Sequence, residues 1–328
     1  MRSLPLEVTT ICNFSCLHCS REKNAPRREM ALPFFQCILD EGKKLGIEAI
    51  SITGGEPLLW AHFSEAFRLC QEAGLSLGMV TNAWEFESRL WPLICDLAAP
   101  VQHLNLCFSL DGMDAPTHDE FRRQPGSFDR VLKALELCRD KGIHTSIKCC
   151  LWKKNLSQVL DIATLGRLYG AVVSFIFLTP TPSLISKKMM PDPIDYEQTL
   201  RLLQEKIIPL LGDVQVEGVV SWNTPVPLCN PFWSLPNIDP DGNLIFCCNL
   251  SNADVANDRA QGPDYLGRLF DISLEEGIRR HMRKLESFVA QQIPISGSAW
   301  KRGCGACLKR FGKLSWLGKT DSPWTCEL

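Results

Sequence analysis

The chain has 328 residues, 22% of them charged, a formal net charge of −2 and sixteen cysteines. That balance excludes the basic surface a nucleic-acid binder needs, no run of about 18 apolar residues offers a membrane span, and Met1-Arg2-Ser3-Leu4-Pro5 lacks the charged-then-apolar pattern of a signal peptide. The length permits one large domain plus a smaller one, and so many cysteines without an export signal fit reduced, cytoplasmic thiols, several of them ligands, better than a disulfide framework.

The first apolar strand, Leu6–Thr9, runs directly into Cys12-Asn13-Phe14-Ser15-Cys16-Leu17-His18-Cys19. A C-x₃-C-x₂-C spacing at a strand end brings three thiolates together, a set suited to zinc or iron–sulfur; in a cubane [4Fe–4S], three protein thiolates leave one iron open. The segment Arg21–Arg28, interrupted by Glu22 and Pro26, reads as a solvated loop.

Further strands are expected at Ala49–Thr53, Ser76–Thr81, Leu104–Leu110, Thr145–Leu151 and Val172–Leu178, alternating with helices near 31–45, 61–73, 86–97, 127–142 and 156–168. Such repetition predicts a parallel sheet with right-handed crossovers, in which reactive groups collect at the C-terminal ends of the strands. Gly54-Gly55-Glu56-Pro57 stands at the end of the second strand, Thr81-Asn82 at the third and Ser109-Leu110-Asp111-Gly112 at the fourth. The period of two puts Asn105, Cys107, Ser109 and Asp111 on one face. The arginines Arg122 and Arg130 are candidates for an anionic ligand group, against a solvated role on a helix surface. Of the other cysteines, Cys37, Cys70, Cys95 and Cys138 fall in helical runs and are expected to fill the core, while Cys107 and Cys150 on strands are reserve thiols for chemistry.

After Thr179-Pro180-Thr181-Pro182 the alternation stops. Residues 1–185 are expected as the core, 186–225 as a linking segment with a helix near 194–211 and a strand near Val214–Val220, and 226–328 as a C-terminal module. In that module Cys229, Gly242 and Cys247 form C-x₁₂-G-x₄-C, Asp239–Asn243 reads as a hairpin turn before a returning strand Leu244–Cys247, and Cys304 and Cys307 form C-x₂-C. Four such thiolates suit zinc or a second, fully ligated cluster.

The cysteine loop followed by Gly54-Gly55-Glu56-Pro57 resembles the radical S-adenosylmethionine (radical SAM) superfamily. The resemblance implies an α/β fold, a partial (β/α)₆ barrel with a small C-terminal α+β iron–sulfur domain. It implies a [4Fe–4S] cluster on Cys12, Cys16 and Cys19, whose open iron chelates AdoMet, and a 5′-deoxyadenosyl radical that takes a hydrogen atom from the substrate. It also assigns AdoMet contacts to Gly54, Gly55, Glu56 and Pro57, and points to Ser109 and His18 beside the cofactor. The C-terminal pattern is similar to the SPASM/Twitch extension, which implies an auxiliary [4Fe–4S] cluster on Cys229, Cys247, Cys304 and Cys307. Positions 313 and 317 hold Lys and Leu where the longer SPASM form continues with cysteines, so the shorter Twitch form with two clusters in all is expected, with Cys326 left over.

The neighbour of Cys247, Cys248, reads either as a small buried residue or as a thiol hydrogen-atom donor, as in Twitch-type peptide epimerases. The expected activity is therefore modification of a ribosomally made peptide, with epimerisation quenched by Cys248, supported by a reductant such as flavodoxin or ferredoxin. With strand 1 at the start of the chain, a peptide is expected to be held by the barrel mouth and the C-terminal module. The alternative is a radical dehydrogenase or epimerase of an aminocyclitol or sugar.

Overall fold

The computed structural model describes residues 3–19, 26–97, 104–217, 234–247, 264–290, 304–310, 312 and 314–327, with backbone alone for 288–290, 305, 306, 310, 326 and 327. Cys229 and Cys248 lie outside the described residues.

The sequence alternation becomes six parallel strands: β1 (Ser3–Thr9), β2 (Ala49–Gly54), β3 (Ser76–Thr81), β4 (Leu104–Ser109), β5 (His144–Leu151) and β6 (Val172–Phe177). They lie side by side in chain order, and β7 (Val214–Glu217), the strand of the expected linking segment, pairs parallel with β6. A sequential order without reversal keeps every right-handed crossover on the same face, so the helices cover one side of the sheet and leave the other free to curve around a lumen.

Three of the covering helices use the same stripe. In α1 (Leu32–Lys44) the buried positions are Phe35, Ile38, Leu39 and Gly42; in α2 (Phe63–Glu72), Phe63, Ala66, Phe67 and Cys70; and a third, Ser127–Asp140, buries Val131, Ala134, Leu135 and Cys138. The i, i+3, i+4, i+7 spacing turns one face toward Leu4, Leu6, Ile50, Ile52 and Leu106 on the strands, all within a few per cent of full burial. Cys70 and Cys138 thus fill core positions as expected. Cys37 and Cys95 do not: both are exposed, and Cys37 falls off the stripe set by Phe35, Ile38 and Leu39.

The opposite face carries polar side chains on β4 and β5. Cys107 stands beside Ser146 and Ser109 beside Lys148, and Lys148 reaches Glu217 of β7 at 3.3 Å. Leu104, Leu106 and Phe108, the other half of the alternation, are 2% exposed or less.

At the far edge, β8 (Asn237–Ile238) pairs parallel with β1 through Leu6 and Ile238. It turns at Asp239–Gly242 into β9 (Asn243–Ile245), and β10 (Tyr265–Arg268) adds antiparallel to β9. The expected hairpin therefore continues the barrel sheet. Between β4 and the helix Ser127–Asp140, the structure also contains a short helix that the hydrophobic pattern did not reveal, Ala115–Arg122, with Pro in its first turn and the Asp114 carboxylate accepting from Thr117 N–H at 2.8 Å. In chain order it is α4, after α3 (Trp91–Cys95), and Ser127–Asp140 is α5.

Candidate active site

The cysteine loop leaves β1 at Thr9 and returns at Arg28–Met30. Thr10 N–H donates to Arg28 O and Met30 N–H to Val8 O, both at 2.8 Å, so the loop has a hydrogen-bonded stem. Within it Cys19 N–H donates to Cys16 O at 3.3 Å, and Phe14 N–H points at the Cys12 sulfur at 3.4 Å. Desolvation pushes the Cys12 thiol up to about 11; Glu56, Cys16 and Cys19 push the same way against the Phe14 N–H.

The motif after β2 is fitted against this loop. Gly55 N–H donates to Thr9 O at 2.7 Å and Glu56 N–H to Ile11 O at 2.8 Å. Gly54 has φ +152°, and a Cβ there would lie 2.4 Å from Thr9 O, so the first glycine is required by the approach of the chain's own backbone. Glu56 is 1% exposed; Oε1 accepts from Thr81 Oγ1 (2.7 Å) and Leu58 N–H (3.2 Å), and Oε2 from Asn82 N–H (2.8 Å). Burial nevertheless raises its carboxyl to about 7, against those three donors. Its carboxylate fastens the end of β3 to the turn that begins at Pro57. The Asn82 side chain then extends to Asn13 Oδ1 at 2.9 Å and to within 4.0 Å of the Cys12 sulfur.

From the other side, the end of β4 and α4 close on Cys16. Asp111 is fully buried: Oδ2 accepts from Arg122 Nε, Oδ1 from Cys150 N–H at 2.7 Å, and its own N–H donates to Nδ1 of His118 at 3.0 Å. Arg122, weighed between an anion-binding role and a solvated helix surface, is 8% exposed and holds Nη1 3.9 Å from the Cys16 sulfur. Burial, the largest single influence, disfavours its charge, but Asp111 together with Cys16 and Cys150 outweighs that and keeps the guanidinium protonated. Phe121 O accepts from Leu17 N–H at 2.9 Å, and the Phe121 ring stacks on His18 at 4.6 Å and on Trp152 at 4.8 Å. His18 is thereby turned onto protein, and burial, helped by the Arg122 charge, lowers its pKa well below the ordinary value. Ser109, at the end of β4, is 9% exposed, whereas Arg130 is half exposed, 3.8 Å from Glu87 and stacked over Trp84.

Cys12, Cys16, Cys19, Gly54, Gly55, Glu56, Pro57, Ser109 and His18 thus meet at one end of the sheet, together with Asn82, Asp111 and Arg122. The burial of the last two was not legible from residue type; the signal available was an Asp at a strand end and a Pro-started helix carrying Arg122 beside Phe121. Of the second cysteine set, Cys247 follows β9 and Cys304 and Cys307 lie on the helix Cys304–Arg310, all three half-buried.

The donor set at the first site fits an iron–sulfur cluster. Three thiols are carried on one short loop, with a backbone N–H on the Cys12 sulfur and a charged guanidinium near that of Cys16, the kind of N–H···S support cluster thiolates receive. Among the described residues no three His, Cys, Asp or Glu side chains are arranged round a single metal ion; a cubane asks instead for one thiolate on each of three iron corners.

A parallel, sequentially ordered half-barrel with a thiol loop at the C-terminal ends of its strands defines an α/β protein built to hold a cofactor there. The family model of the radical SAM superfamily matches residues 6–166 of the chain. It is 31% identical over 208 residues to the AdoMet-dependent heme synthase of Methanosarcina barkeri, covering 62% of this chain and 58% of that one. It is 29% identical over 181 residues to the mycofactocin maturase MftC of Mycolicibacterium smegmatis, covering 54% and 45%. The chain therefore spans about half the length of these relatives. Among solved structures it resembles Streptococcus suis SuiB bound to S-adenosylmethionine, with TM-score 0.66, 15% identity and coverage of 84% and 65%. It also resembles anSMEcpe with bound AdoMet, with TM-score 0.63, 15% identity and coverage of 86% and 83%. Those two likenesses are of fold.

Proposed function

We propose that this protein is a radical SAM enzyme that modifies a ribosomally made peptide. The observation that carries the reading is the fit of Gly54–Glu56 against the cysteine loop, which holds Cys12, Cys16 and Cys19 at the strand ends beside a polar lumen. Cys12, Cys16 and Cys19 would hold the [4Fe–4S] cluster, which when loaded supplies the electron that splits AdoMet to a 5′-deoxyadenosyl radical. Gly54, Gly55, Glu56, Pro57, Ser109 and His18, the last through its backbone, would form the neighbouring wall for AdoMet. The chain's own contribution is to fix the thiols, exclude water from Glu56 and Asp111, and leave the face carrying Cys107, Ser109, Ser146 and Lys148 toward the substrate.

The peptide substrate is supported by the names of several relatives: a mycofactocin maturase, the subtilosin biosynthesis protein AlbA of Bacillus subtilis, and fold neighbours determined with the precursor peptide SuiA or with Kp18Cys peptide. The heme synthases among the relatives form a different branch. The proposal includes a second cluster on Cys229, Cys247, Cys304 and Cys307 in a module of residues 226–328, joined by 186–225 to the core of residues 1–185. It also includes epimerisation with Cys248 as hydrogen-atom donor, and an external one-electron donor such as flavodoxin or ferredoxin.

The test is iron and sulfide content after anaerobic reconstitution, with 5′-deoxyadenosine formation from AdoMet followed in parallel. About eight irons per chain, falling to about four with loss of cleavage in the Cys12/Cys16/Cys19→Ala variant, are expected. A wild-type protein that binds iron but never yields 5′-deoxyadenosine would sink the radical SAM reading. Cys248→Ala tests the finer step: continued formation of inverted peptide by that variant would remove Cys248 from the reaction.

A further inference from the structure

The ion pair between Asp111 and Arg122 is buried on both sides, 0% and 8% exposed, and it is built into the wall behind Cys16. A buried ion pair is a costly way to stabilise a fold, since replacing such a pair by apolar residues is often neutral or stabilising. Here it is also elaborately supported. Asp111 is held by Cys150 N–H, its carbonyl accepts from Asn155 Nδ2 at 3.0 Å and Trp152 Nε1 at 3.3 Å, and α4, which carries Arg122, is capped by Asp114. These contacts aim the guanidinium. Nε is committed to Asp111 while Nη1 faces the Cys16 sulfur at 3.9 Å, and Leu17 N–H on Phe121 O fixes the loop at the same point.

Of the charged side chains at this sulfur, Arg122 is in direct contact and Asp111 stands behind it. A cation and N–H donor at a ligating thiolate withdraws charge from it and favours the reduced, more negative state of the cluster; hydrogen bonds to sulfur and local net charge are what set such potentials. We propose that Arg122 is a positioning residue for the AdoMet-cleaving cluster, holding the Cys16 thiolate and raising the cluster's reduction potential, with Asp111 as the anchor that keeps the guanidinium in place. This rests on the assignment of Cys12, Cys16 and Cys19 as ligands.

The experiment is a potentiometric titration of the reconstituted full-length protein, following the EPR signal of the reduced cluster that added AdoMet perturbs, in wild type, Arg122→Lys and Arg122→Gln, with iron content measured on each. Arg122→Gln keeps an N–H donor and loses the charge. Its midpoint is expected to move negative by at least a tenfold change in the one-electron reduction equilibrium, about 59 mV. Arg122→Lys keeps the charge and is expected to stay between the two. Should Arg122→Gln fail to fold with Asp111 left unpaired, Asp111→Asn/Arg122→Gln replaces the pair by two neutral amides, and a smaller shift of the same sign is expected because the nearer charge was the positive one. A loaded Arg122→Gln protein, or a loaded double variant, with the wild-type midpoint would overturn the inference while leaving the ligand assignment intact. An AdoMet-sensitive signal that survives in Cys16→Ala would overturn the assignment, and the inference with it.

Discussion

Glu56 shows how one side chain serves both the fold and the site. It is buried with three donors on its carboxylate, yet its folded pKa of about 7 stands above the ordinary 4.5, because desolvation outweighs the hydrogen bonds. The folded state therefore binds the proton more tightly than the unfolded chain. Stability from this group is fully present below about pH 4.5 and is lost as pH rises through 7, a change of about 3 kcal/mol. In Glu56→Gln this pH dependence should vanish, while the amide NH₂ facing Asn82 N–H lowers stability by about 1–3 kcal/mol. Urea midpoints of both proteins from pH 4.5 to 8 check it: the advantage of the wild type should shrink with rising pH, and parallel curves would reject the raised carboxyl. Residue type alone revealed Glu56 as an acceptor in a motif, but the three donors come from β3 and from the turn at Pro57, and no local pattern announces them.

At the level of elements, the strands and long helices were legible because each carries a full apolar period, while α4 was not, since Ala115–Arg122 offers Phe121 as its one large apolar side chain. What defines α4 is its cap. Asp114 accepts from Thr117 N–H with Oδ1 and from Gln158 Nε2 with Oδ2, both at 2.8 Å. Asp114→Ala should cost about 1–2 kcal/mol, and because α4 carries Arg122 and Phe121 the loss should appear as faster iron release under chelator as well as a lower melting temperature. Unchanged iron release would mean that the cysteine loop does not depend on α4. A second element is set by one residue: Trp324, 1% exposed, donates to Pro191 O at 3.0 Å and packs edge-on to Tyr196, whose hydroxyl links Leu151 O to Leu178 N–H. Beside it a cavity of about 320 Å³ opens between Leu184–Asp192 and Thr320–Trp324. Trp324→Ala should destabilise this seat by about 3–5 kcal/mol and speed amide exchange in residues 314–325. Undiminished protection there would show that other contacts hold the segment.

Across the whole molecule, the parallel alternation of β1 to β6 was legible from local periodicity and their barrel order from the family resemblance, but the placement of the C-terminal hairpin was legible from neither. The junction is the two-residue strand Asn237–Ile238 with a bridge between Ser234 and Ser3 and Leu235 N–H on Ser3 O, and a pairing so short and so distant in sequence leaves no periodic trace. The hairpin matters to the site because its turn is tied to the cysteine loop: Arg28, on the returning limb, forms an ion pair with Asp241, and Arg268 Nε donates to Asp241 O at 2.9 Å. The turn is itself organised by Asp239, fully buried, whose Oδ1 accepts from Asp241 N–H and Asn243 N–H at 2.9 Å and whose Oδ2 accepts from Asn243 Nδ2 at 3.0 Å. Asp239→Ala leaves two backbone donors unsatisfied, at about 1–3 kcal/mol each, at the point where β8 meets the barrel. Because β10 reaches the sheet through β9, the whole edge should loosen together. Amide exchange should accelerate in Asn243–Ile245 and Tyr265–Arg268, and also at Thr10 and Met30 of the loop stem, while β3, β4 and β5 keep wild-type rates. Uniform acceleration across all strands would instead make the sheet one cooperative unit, and the cysteine loop would then draw its order from the barrel as a whole rather than from the edge beside it.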